Sequence, residues 1–227
     1  MVDTPVITID GPSGAGKGTV AQILAKRLGY HLLDSGAVYR AAGLHALNAG
    51  ADLNNERSVM ASLESMQAEF RPNSSGVRVR LGGIDVTDEL RSESTADAAS
   101  KVAVMPLVRA SLLEQQRSFR VNPGLVADGR DMGTAVFPDA NLKVFLSASA
   151  QVRADRRARQ LKEKGMQVNM ESLIQDIAAR DERDCSREHS PLVAATDALV
   201  IDSSVMSIEC VVEQILSALH AGVGAIT

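Results

Sequence analysis

The stretch VITIDGPSGAGKGT, Val6–Thr19, decides the fold. A short β-branched apolar run ends at Asp10 and a glycine-rich turn follows. Beyond it Val20, Ala21, Ile23 and Leu24 recur at helical spacing as far as Gly29, a good stop signal. Strand, glycine loop and helix in that order are the setting of the phosphate-cradling motif G-x-x-x-x-G-K-[ST]. Glycines let the backbone curl until successive N–H groups face one concavity, and the helix N-terminus adds positive potential. Lys17 supplies a mobile point charge for the terminal phosphates. Gly11, Pro12, Ser13, Gly14, Ala15, Gly16, Lys17, Gly18 and Thr19 are therefore expected to cradle the phosphates of a nucleotide. One position departs from the template. The residue after the lysine should carry a hydroxyl for Mg²⁺, but it is Gly18, and the hydroxyl comes one residue late at Thr19. Thr19 is the candidate metal contact, direct or through water, and the shift argues against a switch GTPase.

Working outward, four more short apolar stretches read as buried strands: His31–Asp34, Leu125–Asp128, Leu142–Ser147 and Ala198–Asp202. Helical patterns lie between them, over Thr19–Leu28, Val38–Ala49, Gln151–Lys164, Met170–Arg187 and Ile208–His220. The expected fold is α/β, a five-stranded parallel sheet with helices on both faces. Asp10, Asp34, Asp128 and Asp202 stand at or near C-terminal strand ends, where open α/β sheets bind ligands. Between residues 67 and 86 the alternation breaks. Gln67–Phe70, Gly76–Leu81 and Ile84–Val86 read as a small antiparallel insert, with turns at Pro72–Gly76 and Gly82-Gly83. Helices resume at Glu93, with a break at Pro106.

Composition bounds the partners. The chain has 227 residues, a net charge of −4, no Trp, two Tyr and four Phe. Its core must be mostly aliphatic, and no basic field suggests nucleic acid. Cys185 and Cys210 form no C-x-x-C and fit a reducing compartment. Cys185 and His189 have a metal-like spacing, but no second ligand pair faces them. No signal peptide and no membrane-length apolar run is visible. The expectation is a cytoplasmic monomer acting on small molecules, with no membrane partner.

Three further stretches carry chemistry. In LLDSGAVYR (Leu32–Arg40), Arg40 sits about a turn and a half into the following helix, where a guanidinium can grip a phosphate bidentately. In VADGRDMGTAVFPDA (Val126–Ala140), adjacent Arg130 and Asp131 can divide the work. One can bind phosphate while the other accepts hydrogen bonds from an amino group. In RDERDCSREHSPL (Arg180–Leu192), Arg180, Asp184 and Arg187 at i, i+4 and i+7 share one helical face, and Arg183 lies one turn from Arg187.

With the loop and the insert, these stretches resemble the cytidylate kinase family of nucleoside monophosphate kinases over essentially the whole chain. The resemblance implies a core (about residues 1–35, 105–150 and 190–227), a monophosphate-binding region containing the insert (36–104) and a lid (151–189). It implies that Ser35 and Arg40 bind the monophosphate, that Ser100, Arg109 and Asp131 recognise the base, and that Arg130 holds phosphate. Arg180 and Asp184 would meet the ribose hydroxyls and Arg187 the phosphates. The lid would bring Arg153 or Arg157 to the triphosphate, and spacing does not choose between them. Ser100 taken alone reads as a helix-surface serine.

The monophosphate oxygen is already anionic, so transfer to it needs alignment and charge neutralisation rather than a general base. Lys17, Arg130, Arg183 and Arg187 are the candidate catalytic cations, with Mg²⁺. The implied reaction passes the γ-phosphoryl of ATP to CMP or dCMP, giving ADP and CDP or dCDP, in pyrimidine nucleotide metabolism. Two other readings remain. One is a shikimate-type P-loop kinase of a small alcohol, with Asp34 or Asp128 positioning or deprotonating a hydroxyl. The other is a P-loop regulatory ATPase.

Overall fold

A computed structural model describes residues 4–73, 76–163, 165, 167–187 and 190–223. The elements run β1 (Val6–Asp10), α1 (Lys17–Leu28), β2 (His31–Asp34), α2 (Ser35–Asn48), α3 (Glu56–Leu63), β3 (Ala68–Asn73), β4 (Gly76–Leu81), β5 (Ile84–Asp85), α4 (Glu93–Val102), α5 (Pro106–Arg117), β6 (Leu125–Gly129), β7 (Leu142–Ser147), α6 (Ala150–Glu163), α7 (Met170–Cys185), β8 (Leu199–Asp202) and α8 (Ile208–Val223). Five strands form a parallel sheet in the order β2-β6-β1-β7-β8, and three form an antiparallel sheet β3-β4-β5. No helix among the described residues is long and apolar enough to cross a membrane.

The chain divides into two compact units: the residues up to His31 with those from Arg120 on, and Leu32–Phe119. In the first, β1 is the central strand. It pairs with β6, Val6 opposite Leu125 through Asp10 opposite Gly129, and with β7, Ile7 opposite Leu142 through Asp10 opposite Phe145. Val6, Ile7 and Ile9 are wholly buried, which is why the run is continuously apolar. Leu24 of α1, Leu146 of β7 and Val212 and Ile215 of α8 add to this aliphatic core.

In the second unit, the antiparallel sheet lays Val79 and Leu81 on Ala37, Ala41 and Leu44 of α2, with Val86 and Leu90. The insert thus shares a core with the helix that carries Arg40. Helices α2 and α4 cross closely at Gly43, where a Cβ would lie 2.7 Å from the backbone nitrogen of Ala99. Asp34 caps α2 by accepting from Ala37 N–H at 2.8 Å, and Asn55 and Ser92 cap α3 and α4.

Several boundaries move for local reasons. Helix α2 starts at Ser35 because Asp34 caps it, and α1 starts at Lys17, straight from the glycine loop. The break expected at Pro106 lies just before it: α4 ends at Val102 and Pro106 opens α5, the helical position where a missing N–H costs nothing. Pro72 and Asn73 belong to β3, paired with Val77 and Gly76, rather than to the turn. Ser74 and Ser75 lie outside the described residues, as do Lys164 and His189. Helix α7 ends at Cys185, so Arg187 is not on the helical face that its spacing suggested.

Candidate active site

The glycine loop is held in a conformation that other residues resist. Gly11 has φ 146°, and a Cβ there would stand 2.0 Å from the Leu146 carbonyl oxygen. Gly16, at φ 98°, ends the loop in the left-handed region and caps α1 without any side-chain hydrogen bond. Helices α2, α3, α4 and α7 all carry a side-chain cap. The first-turn N–H groups of α1 have no such acceptor and no acidic neighbour in that turn, which suits an anion.

Two arginines of α6 brace the loop from behind. Arg153 is buried, and it donates to Ser13 O (3.1 Å), Ala148 O (2.9 Å) and both carboxylate oxygens of Asp181 on α7. Arg156 donates to Ala15 O (3.1 Å) and Ser203 O (2.7 Å), while Ser203 Oγ itself donates to Ala15 O (3.0 Å). Arg157 is half-buried and Arg159 exposed. Sequence reasoning gave Arg156 no particular part, because its partners are the Ala15 carbonyl, 141 residues away, and Ser203, 47 residues away.

Lys17 is buried in the loop it closes. Its Nζ donates to Pro12 O at 3.0 Å and stands 3.8 Å from Asp128 Oδ1. Burial first, then the positive charge of Arg130, lowers its pKa to about 7, against the pull of Asp128 and Asp10. Gly18 explains the departure from the template, since a Cβ at that position would lie 3.3 Å from Asp128 Oδ2. A side chain here would crowd the carboxylate at the end of β6. Thr19 lies exposed in the first turn of α1.

Beyond β6 the chain turns through Arg130 and Asp131 into a π-helical turn, Met132–Val136. Arg130 Nε donates to Asp184 Oδ2 at 2.9 Å, and Arg187 pairs with the other oxygen of Asp184. Burial, the largest influence on both partners, pushes Arg130 down and Asp184 up. Their pairing outweighs it, so Asp184 stays below the usual carboxylate range and Arg130 above its ordinary value. Arg180 also acts on both Lys17 and Asp184. The structure therefore brings Lys17, Arg130, Arg180, Arg187, Asp128 and Asp184 into one charged cluster. Arg183 is half-buried and donates to Ala179 O at 3.4 Å, one turn back in its own helix. Arg187 reaches Asp184 from just past the helix end, not from the helix face.

The second unit carries another group. Asp34 Oδ2 lies 3.4 Å from Arg40 Nη2. Ser35 Oγ donates to Gln116 Oε1 (2.8 Å), and buried Gln116 donates to Leu112 O (3.3 Å), so a residue that no motif marks fixes the Ser35 hydroxyl. Arg109 stacks over Tyr39, 5.8 Å from the ring centroid, and donates to Ala103 O at 3.3 Å. Ser100 is buried, not on the helix surface, and its hydroxyl has no hydrogen-bond partner in the structure. Such an atom is a candidate to meet a ligand. Among the described residues no group of three or more His, Cys, Asp or Glu side chains could hold a metal ion by itself, and both cysteines are exposed and unbridged.

A family model described as cytidylate kinase matches residues 7–221. The chain is 53% identical over 216 residues to the cytidylate kinase of Proteus mirabilis (strain HI4320), covering 95% of this chain and 96% of that protein. It is 54% identical over 214 residues to the cytidylate kinase of Pseudomonas aeruginosa (strain UCBPP-PA14), covering 93% of each. Among solved structures, the shikimate kinase of Bacteroides thetaiotaomicron aligns over 95% of this chain and 98% of its own at 15% identity and a TM-score of 0.45.

Proposed function

The chain belongs to the cytidylate kinase family, and on that premise we propose that it transfers the γ-phosphoryl group of ATP to CMP or dCMP, giving ADP and CDP or dCDP. The observation that carries this reading is the charged cluster, in which Lys17, Arg130, Arg180 and Arg187 are interleaved with carboxylates that orient them. Such a site supplies cations for two polyanions and no base. The alcohol-kinase reading and the regulatory ATPase are not favoured, because the relatives that match most of the chain are cytidylate kinases.

We assign the roles as follows. Residues Gly11–Thr19 cradle the triphosphate, and Lys17 leaves Pro12 O to follow the charge that migrates between the nucleotides. Arg153 or Arg157 reaches the triphosphate from the lid, and Arg153 already donates to the loop carbonyl of Ser13 and to Asp181. Ser35 and Arg40 bind the monophosphate, and Ser100, Arg109 and Asp131 read the base. Arg180 and Asp184 meet the ribose, with Asp184 also fixing the two arginines beside it. Arg130, Arg183 and Arg187 neutralise the transferring group. Residues 151–189 act as a lid that excludes water, residues 36–104 as the monophosphate-binding region, and the remainder as the core. In this reading the enzyme works as a cytoplasmic monomer.

Mg²⁺ fits the donor set. The carboxylate of Asp128 faces the start of α1 across the space that Gly18 leaves, and the Thr19 hydroxyl lies in the same turn. These hard oxygens, with triphosphate oxygens and water, would hold the ion. Bound there, it would neutralise charge on the β- and γ-phosphates.

The test is a steady-state assay of purified protein with ATP against CMP, dCMP, UMP, AMP, GMP and shikimate. CMP and dCMP should turn over fastest. Phosphorylation of shikimate but not of CMP would overturn the proposal.

A further inference from the structure

Asp10 is buried at the C-terminal end of β1, where the charges of Lys17 and Asp131 act on it. Its two carboxylate oxygens each accept a backbone N–H, from Met132 (2.8 Å) and from Gly133 (2.8 Å). These are the first two N–H groups of the π-helical turn, which a helical start leaves without partners inside the turn. A residue on another strand therefore caps the turn. The preceding residue is Asp131, buried, whose carbonyl oxygen accepts from Ala135 N–H (2.9 Å) and Val136 N–H (3.2 Å). Asp131 is thus held on both sides, its own carbonyl by the turn and the following peptide N–H by Asp10.

Packing reports the same constraint independently. Met132 is fully buried beneath Gly129, where a Cβ would come within 2.6 Å of its Cγ. A Cβ on Gly133 would stand 2.8 Å from Thr8 Oγ1 on β1. The turn is seated against the strand that ends in the phosphate loop, with no room to slide.

We propose that Asp10 is a positioning residue for the acceptor nucleotide: by clamping Met132 and Gly133 it sets the direction of Asp131, so that base recognition is fixed from the donor strand. The proposal rests on the reading of Asp131 as a contact to the cytosine ring. It makes one acidic residue, adjacent to the loop that holds ATP, responsible for affinity toward the other substrate.

The test uses the full chain with Asp10→Asn, Gly133→Ala and Asp131→Ala. In Asp10→Asn one oxygen becomes an NH₂ group, a donor facing an N–H donor. The KM for CMP should rise about tenfold, the preference for CMP over UMP should shrink, and the KM for ATP should stay within about twofold. Gly133→Ala pushes the turn off β1 by an independent route and should reproduce this pattern, which keeps the proposal testable if Asp10→Asn does not fold. Equal rises in KM for ATP and CMP, a fall in kcat alone, or a Gly133→Ala protein with unaltered CMP preference would each overturn it. If instead Asp131→Ala keeps full CMP affinity, the base-contact reading fails, an outcome distinct from failure of the clamp.

Discussion

Gly18 is the residue at which the loop departs from its template, and the structure gives a steric reason for it. Asp128 projects from β6 beside Lys17, and its Oδ2 would lie 3.3 Å from any Cβ at position 18. Gly18→Ser would restore the template yet crowd that carboxylate and displace it from Lys17. We expect kcat to fall several-fold and the Mg²⁺ concentration for half-maximal rate to rise. A serine variant that matches or exceeds the wild type would show that Asp128 does not need the space. Residues of this kind were legible in the sequence when their constraint was local. Gly11, Gly16 and Lys17 announce themselves because the loop needs unusual φ values and one cation. Gln116 and Arg156 did not, and Asp10 was legible only as an acidic strand end, because their partners are backbone atoms or side chains far along the chain.

At the scale of elements, periodicity found all five strands of the parallel sheet and misjudged helix ends. Apolar runs buried on both faces leave a continuous signature, whereas an end is decided by a cap. Asp34 begins α2 three residues before the apolar pattern starts, and α7 stops at Cys185 although charged residues continue. The close crossing of α2 and α4 left no readable signal beyond small residues, Gly43 facing Ala98 and Ala99. It yields a sharp expectation. In Gly43→Ala the new Cβ would meet backbone atoms of Ala98 and Ala99 at 2.7–3.1 Å, contacts that no rotamer change relieves. The variant should lose about 1–3 kcal/mol of stability and be detected by denaturant unfolding. Its effect on CMP should exceed that on ATP, because α2 carries Ser35 and Arg40. Unchanged stability would mean that the helices separate freely.

For the whole molecule, the cost of the site is set by charge rather than by packing. The chain carries a net charge of only −4, but it buries Lys17 and Asp10 in one unit, and both titrate far from their usual values. Lys17 falls from 10.5 to about 7 through burial first and the charge of Arg130 second, while burial raises Asp10 from 3.8 to about 6. The consequences for stability have opposite windows. Between about pH 4 and 6 the folded state binds the Asp10 proton more tightly than the unfolded chain does, so this group's contribution falls as pH rises. Between about pH 7 and 10.5 the unfolded chain holds the Lys17 proton more tightly, so this contribution rises with pH. Lys17→Met removes the second effect and keeps most of the side-chain volume. Without nucleotide, we expect the methionine variant to exceed the wild type in unfolding free energy at pH 7, by up to a few kcal/mol. The gap should narrow steadily toward pH 10 as wild-type Lys17 loses its charge in the folded state. Taking the difference between the two proteins cancels the groups that do not interact with Lys17, and Asp10, which does, is ionised in the wild type over most of this range. A gap that stays constant from pH 7 to 10 would show that the buried ammonium is no burden to the fold. A narrowing gap would identify Lys17 as a destabilised group, one that an anion bound in the loop would relieve under the proposed function.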